Sequence, residues 1–168
     1  MEAQMAELTK LETKLGEVMG LAMAAQAATK KVLTLAKDES DSVTSQLERM
    51  HDEAVETARR CEELAGSFDG KKTAILEEAS TVKVKGAEMM ATYLEPDSDA
   101  LDGFEFLTMA EAGEVGHWGV LKTLNNRAGS TEIRELVDWA LPIQEHHYAG
   151  VTKTSLALAS EEDPDEVA

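Results

Sequence analysis

Cys61 is the only cysteine in the chain, so no internal disulfide is available and a reducing compartment is expected. Positive charge is scarce as well. Sixteen Lys and Arg stand against 33 Asp and Glu, a net charge of −17, which argues against nucleic acid or an anionic membrane surface as partner. The longest apolar run, near Leu21–Ala25, is far short of a membrane span. The opening MEAQMAELTK places Glu2 and Glu7 where a secretory leader would carry positive charge, so the expectation is a cytoplasmic protein. Only three prolines and seven aromatic residues occur, too few for a sheet-rich core. P-loop, dinucleotide fingerprint, nucleophile elbow and zinc-cysteine pair are all missing.

What the chain has in abundance is Ala, Leu, Glu and Met at helical spacing. A first helix is expected over about Met5–Ala36, ending at the turn-forming cluster Asp38–Ser42. A second runs from Val43 to about Leu64 and stops at Gly66 and Gly70. The stretch Lys71–Leu94 is less regular: it reads as a helical crossover in pieces, with a strand-like Thr81–Lys85 that has nothing to pair with. A third long helix is expected from about Ser98 to Asn126. The fourth runs from Ser130 or Thr131 to about Ala159, where Pro142 removes one backbone hydrogen bond. These elements give an all-α, four-helix bundle with one crossover connection between helices 2 and 3, over residues 1–159. Residues 160–168, five of them acidic, form a solvated and disordered tail.

Polar residues interrupt the apolar stripes of the last two long helices. The third helix reads Leu107, Ala110, Glu114, His117, Leu121, Leu124, with Glu111 alongside. A carboxylate in such a core needs a metal, a cation or a proton to offset its burial. Gly113, Gly116 and Gly119 recur on this helix and predict close approach of a neighbouring helix. On the fourth helix the stripe Ile133, Leu136, Ala140, Ile143, His147, Val151 turns His147 inward, with Gln144 beside it. Glu114-Val-Gly-His117 has the Glu-x-x-His spacing by which bundle helices supply metal ligands, and carboxylate plus imidazole suits iron, manganese or zinc.

The segments AEAGEVGHWGVLKTLNNRAG and LVDWALPIQEHHYAGVTKTSLALA resemble the second helical pair of the ferritin-like superfamily, in its YciF-like stress-protein branch. The resemblance implies a bacterial stress-associated bundle, a homodimer, and a non-haem metal centre involving Glu111, Glu114, His117 and the Gln144–His147 turn. It extends more faintly to His51 and Glu56-Thr57 on the second helix. The first helix departs from the pattern: where a ligand Glu is usual it reads Met23-Ala-Ala-Gln-Ala27, with only Gln26 near.

The reading that follows is a ferritin-like protein binding iron or manganese through Glu111, Glu114, His117 and His147, with His51 as a fifth candidate. The competing reading is a metal-free bundle acting as a structural or interaction module. On that view Glu114 and His117 form an ion pair, His147 bonds to the backbone or Gln144, His51 sits at the core boundary, and Glu53 and Glu56 are solvated. Cys61 reads as an inert buried thiol, and the methionines as core filler.

Overall fold

The structure is a computed structural model that describes residues 5–168; Glu2 and the first residues of the expected 1–159 unit lie outside the described part. Among the described residues all regular structure is helical. Five helices follow one another: α1 (Lys10–Leu35), α2 (Asp41–Ala65), α3 (Lys72–Tyr93), α4 (Ala100–Ala128) and α5 (Thr131–Ser160). No helix is long and apolar enough to cross a membrane among these residues.

Local chemistry sets the ends. α1 begins at Lys10 rather than near Met5 because Thr9 and Glu12 form a capping box: Glu12 N donates to Thr9 Oγ1 at 3.1 Å and Thr9 N donates to Glu12 Oε1 at 2.8 Å. Lys71, 3.3 Å from the same Glu12 oxygen, ties this start to the α2–α3 turn. Asp99 and Asp102 form the equivalent box at the start of α4. The α4–α5 turn is closed by Gly129 at φ 72° and by Asn125, whose side chain brackets the backbone of Ser130. Ser130 Oγ in turn caps α5. Residues 161–168 are exposed.

The expected connection over 71–94 is a single uninterrupted helix, strand-like Thr81–Lys85 included. Its regularity comes from α1. Ile75, Ala79, Val82 and Gly86 lie against Gly16, Gly20 and Ala24, so that α3 runs parallel to α1. An added Cβ on Gly16 would meet Ile75 O at 2.9 Å, and one on Gly20 would overlap Ala79 O and sit 2.7 Å from Val82 Cβ. Close helix approach therefore occurs at Gly16 and Gly20. Gly113, Gly116 and Gly119, expected to serve that purpose, have nothing within 4 Å of an added Cβ and face outward. Gly20→Ala should therefore cost about 1–3 kcal/mol through overpacking, read as a lowered melting temperature, whereas Gly116→Ala should raise stability by about 1 kcal/mol through helix propensity.

α1 also packs against α2 and α4, α4 pairs with α5, and α5 meets α2. Antiparallel contacts such as Thr29–His51, Gln46–Thr154 and Thr108–Ser155 fix the registers. The core falls into two apolar clusters. One holds Leu15, Val18, Cys61, Trp118, Leu121 and Ile133; the other holds Val32, Leu47, Met50, Phe104, Leu107 and Val151.

Candidate functional site

A polar layer separates the two apolar clusters. On α4 it falls between Leu107 and Trp118, on α2 between Met50 and Cys61, and on α5 between Ala140 and Val151. Its buried members are Glu111 (2% exposed), Glu114 (4%), Gln144 (1%) and His147 (3%). α1 contributes Ala22, and no carboxylate, to its buried face between the clusters. Glu53 of α2 closes the layer toward solvent, with its side chain 28% exposed.

His147 is held from both sides of its ring. Nε2 lies 3.3 Å from Glu53 Oε1, and Nδ1 lies 3.7 Å from Glu111 Oε2. With the Gln144 amide turned so that its nitrogen faces the carboxylates, it donates to Glu111 Oε2 at 2.9 Å and also to Glu114 Oε2. Glu53 is steadied by its own helix, where Thr57 Oγ1 donates to the Glu53 carbonyl, and by Arg49, whose Nε lies 3.5 Å from Glu53 Oε1. No three His, Cys, Asp or Glu side chains are already gathered as a metal cluster among the described residues. Glu53 and Glu111 instead share the imidazole, one at each nitrogen.

The electrostatics follow from burial. Glu114 is pushed well above the usual carboxylate range, first by loss of water, then by the charge of Glu111 and the hydrogen bond between the two. Its protonated form is therefore favoured while no cation is bound. Burial alone would lower His147, but Glu111 and Glu53 outweigh it and raise its pKa above the ordinary value. The Cys61 thiol is pushed up to about 12 by burial and by Glu114, which makes it the inert thiol expected.

Of the five residues singled out from the sequence, Glu111, Glu114 and His147 come together here. His117 does not join them. Its side chain is 43% exposed, and Nδ1 sits 3.2 Å from Lys14 Nζ and 3.3 Å from Glu17 Oε2 at the α1–α4 surface. The physical reason is register: the buried line on α4 runs Phe104, Leu107, Glu111, Glu114, Trp118, Leu121, Asn125, alternating steps of three and four, and His117 lies one step to its side. His51 is half-buried between α1 and α2, its Nδ1 3.1 Å from the Gln26 carbonyl and 3.3 Å from Thr29 Oγ1. Gln26 is thereby engaged through its backbone. Glu53 is the member that the sequence reading assigned to solvent. Its signal was present, one turn before Thr57 and two before Cys61, both fully buried.

No protein-family profile and no curated protein matches this chain.

Proposed function

We propose that this protein is a ferritin-like four-helix bundle, built from α1, α2, α4 and α5 with α3 as the crossover, that binds one iron or manganese ion in its polar layer. The bundle reading is supported by the parallel run of α3 along α1, which returns the chain so that α4 starts from the same end as α2. The observation that carries the metal reading is the pair Glu111 and Glu114: two carboxylates buried between two apolar clusters, of which Glu111 alone is paired with an imidazole, that of His147, among the described residues. Such a pair is costly unless a cation or a proton offsets it.

The donor set fits a divalent transition metal. Glu111, Glu114 and His147 through Nδ1 would hold the ion, offering oxygen ligands and one nitrogen. Glu53 on Nε2 would act from outside that set, fixing the ring's tautomer and orientation as carboxylates commonly do behind ligand histidines. Gln144 aligns both ligand carboxylates. The lack of a carboxylate from α1 favours one ion over two. A bound metal of this kind would supply chemistry with oxygen or peroxide, in keeping with the stress-protein resemblance.

The competing reading, a metal-free structural module, draws on the absence of any buried side-chain polar atom without a partner among the described residues. Stability separates the two. Manganese(II), or iron(II) without air, at a hundred times its Kd should stabilise the chelator-treated protein by about 2.7 kcal/mol. Glu114→Ala should fold and lose that shift entirely. A wild type whose melting temperature ignores both metal and chelator would favour the structural module.

A further inference from the structure

α4 carries a second face that the bundle does not use. Met109, Ala112, Gly113, Gly116, Val120 and Thr123 are all exposed and share its outer side, and no charged residue interrupts that line between Glu105 and Arg127. α5 widens the face. Thr108 Oγ1 lies 3.1 Å from Ser155 Oγ and the two helices run antiparallel, so Tyr148, Thr152 and Leu156 fall level with the stretch from Leu107 to Gly116. The large apolar side chains of Met109, Val120, Tyr148 and Leu156 therefore lie open to solvent on neighbouring helices.

This face carries a cost with no return inside the chain. Gly113, Gly116 and Gly119 each weaken a helix interior by about 1 kcal/mol relative to Ala, and nothing lies within 4 Å of a Cβ added to any of them. They leave the centre of the face flat, so that another helix can come close. The charges at its ends say which helix. Glu105 and Arg127 stand at equal distances from Gly116 along α4, one acidic and one basic. A second α4 laid antiparallel across Gly116 sets each Glu105 against the partner's Arg127, Ala112 against Val120, and Met109 against Thr123. The same twofold axis brings the two α5 helices to one side, with both copies of Tyr148 near the axis. A net charge of −17 opposes contact between copies in general, and here neither copy presents acid at the centre. The face runs about 33 Å from Glu105 to Arg127 and, with α5 alongside, is about 20 Å wide. That is the footprint of a stable interface, about 800 Å² per partner.

We propose that the outer face of α4 and α5 is where two copies of this chain meet, with α4 paired antiparallel about Gly116. The inference is independent of the metal reading.

Sedimentation velocity of full-length, chelator-treated protein across a concentration series tests it. The wild type should be a dimer at micromolar concentration. Gly116→Arg should be a monomer there with unchanged helix content by circular dichroism, since the position is exposed and has room. Arg127→Glu and Glu105→Arg should each weaken association at least tenfold, and the double variant, which exchanges the two charges, should recover most of the loss. Gly116→Ala should also associate more weakly, even though its chain is the more stable one at dilutions where both proteins are monomers. A wild type that stays monomeric would overturn the proposal and leave the face to a different partner. A dimer indifferent to Gly116→Arg would overturn it by moving the contact elsewhere. Single charge changes that weaken the dimer without recovery in the double variant would overturn the antiparallel pairing.

Discussion

His147→Leu should destabilise the chelator-treated protein by about 3–5 kcal/mol near pH 6, roughly 6–20 °C in melting temperature for a domain of this size. The imidazole is the one cationic partner of Glu111 and serves Glu53 at its other nitrogen. Removing it leaves the Glu111 carboxylate, 2% exposed, beside Glu114 without its cationic partner. The pH matters and its sign is fixed. Because the folded-state pKa of His147 is raised, its contribution is fully present below the ordinary value of 6.5 and is lost as pH rises through the folded value. The gap between wild type and variant should be wide at pH 6 and narrower at pH 9. Thermal unfolding followed by circular dichroism at the two pH values checks this, and a loss below about 1 kcal/mol at pH 6 would mean that the layer does not depend on its imidazole.

Glu114→Gln should have the opposite effect on stability while removing metal binding. Burial and Glu111 raise the Glu114 pKa, so the stabilising contribution of its protonated form is complete below pH 4.5 and is lost as pH rises through the folded value. Glutamine keeps an N–H donor for Glu111 and has no proton to lose. The variant should match the wild type near pH 4.5 and exceed it by about 1–3 kcal/mol at alkaline pH, the cost of an ill-matched buried polar group. Urea unfolding of chelator-treated protein across this range gives the answer. A site that lowers stability until its ligand arrives is what a binding role leads one to expect, and parallel pH curves for the two proteins would argue for a layer of purely structural origin.

Much of the architecture was legible in the sequence. The α4 and α5 boundaries fall within two residues of expectation because Pro96 with the Asp99–Asp102 box, and Gly129 with Ser130, leave little freedom at those ends. α3 was misread as irregular because its apolar residues do not gather on one face, and only Ala74, Ile75 and Ala79 are buried. It is ordered by the glycines of α1, a tertiary effect that periodicity within Lys72–Tyr93 does not carry. The glycines that did attract notice, Gly113 to Gly119, form an outward strip, since a small residue marks close approach only when a partner helix is there.

The site was legible in part for a similar reason. Glu114 and His147 lie on lines that remain apolar at both ends, so burial followed from spacing, whereas Glu111 was read as lying beside the α4 line. His117 was read on the same stripe as Glu114 and His51 at the edge of its own, yet each lies to the side of its buried line, where α1 supplies ordinary polar partners. Glu53 was passed over because its own helix face looks solvated. Its role arises from His147 reaching across from α5, a contact between residues 94 positions apart.

The most direct measurement is elemental analysis of the purified, untagged protein beside a chelator-treated sample, followed by anaerobic iron(II) and manganese(II) loading of the latter. The account predicts close to one transition-metal ion per chain, removed by chelation and restored by loading, and none in Glu114→Ala. A wild type that holds no metal before or after loading would contradict it, and would leave Glu111, Glu114 and His147 as a self-paired layer that keeps the helices in register.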